Sequence, residues 1–184
     1  KAGKLWCELK APEQLNLGKT VSVETFAAAL SLSADDIVAE THVPQVASVG
    51  LPFLIGELKD QSALERATIN YEVLRAIKAI GASPDIHLYT YSNDEFDIRA
   101  RMFAPFAGVH EDPATGSANC ALCSMLTRFK EEKSGKFKWK IGQGIEMGRA
   151  SLLEARTEKK DDGVIDTWIG GSCVLVSEGM IFID

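Results

Sequence analysis

Between about residues 116 and 130 the chain carries its clearest helix, and strand-like segments crowd it on both sides. Leu122, Met125, Leu126 and Phe129 recur at i, i+3, i+4 and i+7, the spacing that lines one helical stripe. Upstream, residues 46–58, 86–91 and 96–103 are rich in β-formers or alternate apolar with polar. Downstream, residues 137–141, 145–156, 164–169 and 172–183 do the same. Gly163 and Gly170-Gly171 punctuate the last three runs as a meander. A stripe of this kind must be covered, and strands supply the cover. The expected fold class is therefore α+β, with helices packed on or inside a curved sheet.

Shorter helices announce themselves by their caps. Ser22 is placed to cap residues 23–30, with Glu24 in the first turn. Ser33-Ala34-Asp35-Asp36 can start another turn, and Ser62-Ala63-Leu64-Glu65 reads as a capping box. Asn70 precedes a helix over 71–80 that Gly81 stops, with Pro84 beyond. The opening, Lys1 to Leu9, has no starting Met and alternates like the middle of a sheet, so it is expected to continue from preceding structure.

Composition narrows the classes of function. A length of 184 residues, 46% hydrophobic, is enough for a real core. The net charge of −6 argues against a nucleic-acid partner, which needs a basic face. No apolar run is long enough for a membrane-spanning helix, and no signal-peptide pattern opens the chain. Cys7, Cys120, Cys123 and Cys173 are too scattered for a disulfide scaffold; a cytoplasmic protein with free thiols is expected.

The segment Glu111-Asp112-Pro113-Ala114-Thr115-Gly116-Ser117-Ala118 carries the chemistry. Asp112-Pro113 disfavours helical geometry before the proline, and Thr115 or Gly116 then caps the long helix. Gly116, Ser117 and Ala118 are small, so a ligand can approach the backbone. The first amides of a helix have no internal partner and carry the positive end of its dipole. A carboxylate or phosphate is the natural occupant. Asp112 stands close enough in sequence to hydrogen-bond such a ligand or exchange a proton with it. The plain alternative is that Asp112 and Thr115 only cap a helix, with Pro113 stiffening the turn.

Other motifs weigh less. Cys120-Ala121-Leu122-Cys123 is one C-x-x-C without a second pair, a poor zinc site. Cys120 lies one turn past Ser117, which raises a thiol-dependent epimerase as an alternative; a buried small residue is the simpler reading. Gly142-Gln143-Gly144-Ile145-Glu146-Met147-Gly148 imitates a dinucleotide loop but precedes a strand-like run, where such a loop requires a helix. Arg149 is read as a solvated charge, His110 as an exposed loop histidine, and residues 130–140 as a mixed-charge surface turn.

The run Arg101-Met102-Phe103-Ala104-Pro105, followed by Gly108-Val109-His110 and Glu111 to Ala118, resembles the signature of the PhzF-like family, named for a phenazine-biosynthesis isomerase. Ser48-Val49-Gly50-Leu51-Pro52-Phe53 before it, and Gln143 to Arg149 and Gly170-Gly171-Ser172 after it, fall in the expected order. The resemblance implies a diaminopimelate-epimerase-like fold: two similar halves, each a sheet curled around a central helix, with the active site between them. It implies a cofactor-independent isomerase, without metal, acting on a small anionic metabolite. Asp112 and Ser117 are then catalytic, and Thr115, Gly116 and Ser117 bind substrate. The family's first-half glutamate and Gly-His motif have no match here, since His42, His87 and His110 follow other residues. The chain is accordingly expected to be the C-terminal half, residues 21–184, preceded over 1–20 by the end of the other half. Its partner is that half of the same protein, and the last strand packs back on it. Alone it is expected to be inactive, with an exposed apolar patch that favours a homodimer. A non-catalytic binding or scaffold protein of the same family is the rival reading.

Overall fold

The computed structural model describes residues 5–183. Three of its helices begin where a short polar side chain takes up the first amides. Ser22 accepts from the Thr25 amide at the head of α1 (Val23–Ala29), and Asn70 accepts from Glu72 and Val73 at the head of α3 (Tyr71–Ala79). Gly81, at φ +75°, follows the end of α3. For α2 (Gln61–Arg66) the cap is Asp60, not the expected Ser62: the Asp60 carboxylate reaches the Ala63 amide at 2.7 Å. Ser62 instead accepts from the Arg66 guanidinium one turn on.

The strands form a single sheet. They are β1 (Leu5–Lys10), β2 (Asn16–Thr20), β3 (Ile37–Val38), β4 (Gln45–Ser48), β5 (Pro52–Leu58), β6 (Ile86–Tyr91), β7 (Ile98–Ala104), β8 (Val109–Asp112), β9 (Gly135–Gln143), β10 (Ser151–Lys159) and β11 (Ile165–Cys173). The main order is β1-β11-β10-β9-β7-β6-β5-β4-β2, with β3 on β5 and β8 on β7. Among the described residues only β5/β6 and β7/β9 are parallel; α2 and α3 make the first crossover and α4 (Gly116–Arg128) lies in the second. Packing shows the curl. Side chains of α4 share one core with Ala47 and Val49 at one end of this order and Ile169 at the other, so the sheet wraps the helix. The remaining helices cover the outside of β4 to β7, around Phe26, Leu54, Leu74, Ile86 and Phe103. Strands β5 and β6 are thus buried on both faces, whereas β10 alternates.

Four expectations are corrected here. All residues from Ala118 to Thr127 are buried, not one stripe, because the curled sheet surrounds α4; Phe129, past its end, is exposed. The run 46–58 is two antiparallel strands that turn at Val49-Gly50-Leu51, where Gly50 has φ +142°. Gly170-Gly171 does not break a strand: β11 runs through it, and a Cβ on Gly170 would meet the Cys7 carbonyl oxygen at 2.8 Å, so glycine lets β1 lie close. The expected strand over 172–183 stops at Cys173, where the pairing of β11 with β1 ends; residues 174–183 form neither strand nor helix and are exposed.

The outermost strands β1 and β2 are consecutive in sequence. Residues 11–15 join them, with the Ala11 amide donating to Thr167 O at 2.8 Å and the Glu13 amide to Val49 O at 3.3 Å. The link therefore touches both edges of the curled sheet.

Candidate active site

The approach to the site is fixed by a buried ion pair. Arg101 on β7 donates through Nε and Nη2 to both Glu111 carboxylate oxygens, at 2.8 and 2.9 Å. Its Nη1 donates to Leu64 O and Ala67 O, and its guanidinium lies 4.8 Å from the Phe103 ring centroid. Breaking a bidentate pair satisfied in this way would strand a buried charge, so β8 is held firmly against β7. Side chains alternate along β8, which turns Asp112 away from Arg101.

Asp112 enters a network that the sequence only half revealed. Thr115 Oγ1 donates to Asp112 Oδ2 at 2.7 Å. Gln143, at the end of β9, donates from Nε2 to Asp112 O at 2.7 Å and to Thr115 Oγ1 at 2.9 Å. Its Oε1 accepts from the Thr115 amide at 3.2 Å and from Asn119 Nδ2 at 2.7 Å. Asn119 Nδ2 also donates to Thr115 O, which leaves its Oδ1 to face His87 Nε2 at 3.2 Å. A carbonyl oxygen can only accept, so both amides and the His87 Nε2–H tautomer are fixed by their partners. Burial pushes His87 down to about 4, so it is neutral at physiological pH.

The residues missed by sequence reasoning are therefore Gln143, Asn119 and His87, each wholly buried. The available signal was a polar residue in an apolar setting: Asn119 within α4 and Gln143 between two glycines. Gly144 follows at φ +76°, and a Cβ there would sit 2.4 Å from Arg149 O and 2.8 Å from Pro113 O. Only glycine lets the turn press against Pro113.

Thr115 is the N-cap of α4, but its hydroxyl serves Asp112 and no side chain caps the helix. The positive end of α4 is thus left to solvent or ligand. Gly116 lies between two recesses. One, about 280 Å³, is apolar and includes Leu9, Pro12, Val49, Leu51, Ser117 and Cys120. The other, about 460 Å³, includes Cys7, Ala114, Ser151 and Cys173. Asp112, Thr115, Gly116 and Ser117 are thus gathered within one turn.

The weaker candidates fall elsewhere. Cys120 and Cys123 are buried in α4, and burial pushes the Cys120 thiol up to about 12, which leaves it protonated and poorly nucleophilic. Residues 144–150 make a turn, not the expected first part of a strand, and β10 follows with no helix. Arg149 is exposed; His110 is exposed and meets the Tyr71 hydroxyl at 3.3 Å. No helix among the described residues is long and apolar enough to cross a membrane.

A sheet curled around one buried helix, with an acidic turn locked to that helix's uncapped start, defines an α+β half-barrel that presents a helix N-terminus. The chain belongs to the phenazine biosynthesis-like family, PhzC-PhzF, whose profile matches residues 1–179. It is 30% identical to an uncharacterized isomerase of Mesorhizobium japonicum over 95% of this chain and 59% of that protein. It is 35% identical to the trans-2,3-dihydro-3-hydroxyanthranilate isomerase of Pseudomonas chlororaphis over 56% of this chain and 37% of that protein. The chain thus matches 59% of the length of the first of these relatives and 37% of the second. A PhzF-family phenazine biosynthesis protein of Bacillus anthracis superposes with a TM-score of 0.81 at 23% identity, over 98% of this chain and 62% of that one. That likeness establishes the shared fold.

Proposed function

We propose that this chain forms one wall of the active site of a cofactor-independent isomerase, which moves a proton on a small carboxylate-bearing metabolite. The observation that carries it is the uncapped start of α4 beside a carboxylate, Asp112, whose position is fixed by Thr115 and Gln143. The Gly116 and Ser117 amides hold the anionic group. Asp112 relays the proton or binds the substrate, and the apolar recess beside Ser117 takes the carbon skeleton. Relatives of the chain are named isomerases, which fits this chemistry.

A proton transfer on carbon also needs an acid or base poised near the operating pH. That group, and the second wall that excludes water, belong to another half of the protein. The 184-residue chain alone binds without turnover.

Titration with 3-hydroxyanthranilate, followed by amide NMR, tests the reading. Gly116 and Ser117 amides are expected to shift first, and Asp112→Asn to change the affinity without unfolding the chain. Shifts confined to other surfaces would overturn the isomerase wall and favour a binding or scaffold role elsewhere on the sheet.

A further inference from the structure

The antiparallel ladder between β1 and β11 pairs Cys7 with Gly171 and Leu5 with Cys173. Residues opposite one another share a face of the sheet, and so do residues two apart on one strand. Cys7 and Cys173 are therefore diagonal neighbours on one face, brought together across 165 positions of sequence. Both are exposed, and both line the larger recess beside Ala114 and Gly116. A side-chain hydrogen bond with Cys173 is the main cause that pushes the Cys7 thiol up from its ordinary value. Cys173 Sγ also lies 3.6 Å from Gly171 O. The other two cysteines, Cys120 and Cys123, are buried in α4 and out of this chemistry.

We propose that Cys7 and Cys173 form a reversible redox pair whose disulfide ties β1 to β11 at the rim of the recess beside α4. The oxidant is a low-molecular-weight disulfide such as oxidised glutathione. Either thiolate can open the exchange; taken from Cys173, it attacks one sulfur of the oxidised glutathione. It forms a mixed disulfide and expels one glutathione thiolate. The Cys7 thiolate then attacks the Cys173 sulfur of that mixed disulfide and expels the second glutathione. One disulfide is reduced to two glutathione thiols, one is formed in the protein, and the two cysteine protons end on glutathione.

Geometry makes the bond reversible. Diagonal partners stand about 7–8 Å apart, whereas a relaxed disulfide prefers roughly 4.4–6.8 Å between Cα atoms. Closing it draws β1 inward. Among the described residues β1 pairs with β11 alone, so a shift of β1 disturbs no second ladder there. A disulfide closed under such strain is easier to reduce than a relaxed one. Oxidation state and the shape of the recess are thereby coupled.

The test equilibrates the 184-residue chain in mixtures of reduced and oxidised glutathione and follows intact mass and non-reducing peptide maps. The expected product is a monomer lighter by two hydrogens, with the Cys7 and Cys173 peptides joined, and dithiothreitol restores the starting mass. Cys7→Ser and Cys173→Ser should each stop at a glutathione adduct on the remaining thiol. A wild-type chain that stays reduced, stops at glutathione adducts, or joins Cys120, Cys123 or a second chain would overturn the proposal. The wild-type map decides this even where a variant folds poorly, and it needs no enzyme activity.

Discussion

Replacing Gly144 by alanine should damage both stability and the site, and Gly148 supplies the control. The two glycines have nearly the same backbone, φ +76° and +77°. A left-handed conformation costs an alanine about 1–2 kcal/mol, so both substitutions share that penalty. Their surroundings differ. A Cβ on Gly148 meets nothing within 4 Å, whereas one on Gly144 falls 2.4 Å from Arg149 O, 2.8 Å from Pro113 O and 2.9 Å from Pro113 Cα. All three are backbone atoms, which cannot rotate away as a side chain would. Overpacking of this kind adds about 1–3 kcal/mol. Gly144→Ala is therefore expected to cost roughly 2–5 kcal/mol in total. For a chain of this size that lowers Tm by roughly 4–20 °C, against roughly 2–8 °C for Gly148→Ala. Calorimetry and urea titration measure the difference. The displaced atoms belong to Pro113, so amide shifts from Asp112 to Ser117 should change in Gly144→Ala and stay near wild type in Gly148→Ala. Equal stability losses in the two variants would refute the close approach of the turn to Pro113.

Two further outcomes follow from the buried network. Gln143→Leu preserves bulk but leaves Asp112 O and the Thr115 amide without their Gln143 partner, while Asn119 Nδ2 keeps its bond to Thr115 O. Each buried orphan costs about 1–3 kcal/mol, so urea unfolding should show a loss of roughly 2–4 kcal/mol after partial relaxation. His87 gives a pH signature. Its folded value, about 4, lies below the ordinary 6.5, so its stabilising contribution is complete above pH 6.5 and is lost as pH falls toward 4. The slope is about 1.4 kcal/mol per pH unit in that window, and His87→Gln should remove it from the measured stability profile.

Local rules read much of the fold correctly. Ser22 and Asn70 were visible as caps because capping is a contact between near neighbours, and β6 matched its predicted limits because its apolar run has clear ends. The failures were tertiary. Periodicity could place Leu122, Met125 and Leu126 on one stripe, but it could not show that a sheet would curl round the other sides of α4. The run 172–183 has strand composition throughout, yet a strand also needs a neighbour, and the pairing of β11 with β1 ends at Cys173. Of the candidate site, the grouping of Asp112, Thr115, Gly116 and Ser117 is legible because they lie in one short segment. Gln143 and His87 reach the same place from distant strands, β9 and β6. Gln143 was seen only as part of a motif, and nothing local marked its amide as the group that holds Asp112.

The link over residues 11–15 gives the half-barrel a maximum girth. It is the covalent bridge between the two outermost strands of a sheet that otherwise closes only through α4. The six Cα–Cα steps from Lys10 to Asn16 reach no more than about 22 Å when fully extended, so the edges can part by that span and no further. The mouth beside Ser117, bounded by Pro12 on the link and Leu51 on the opposite edge, is sized by the same tether. Lengthening or shortening that loop would resize the opening while leaving each strand and the helix unchanged in sequence. In this architecture the aperture of the candidate site is set by loop length, separately from the residues of the acidic turn.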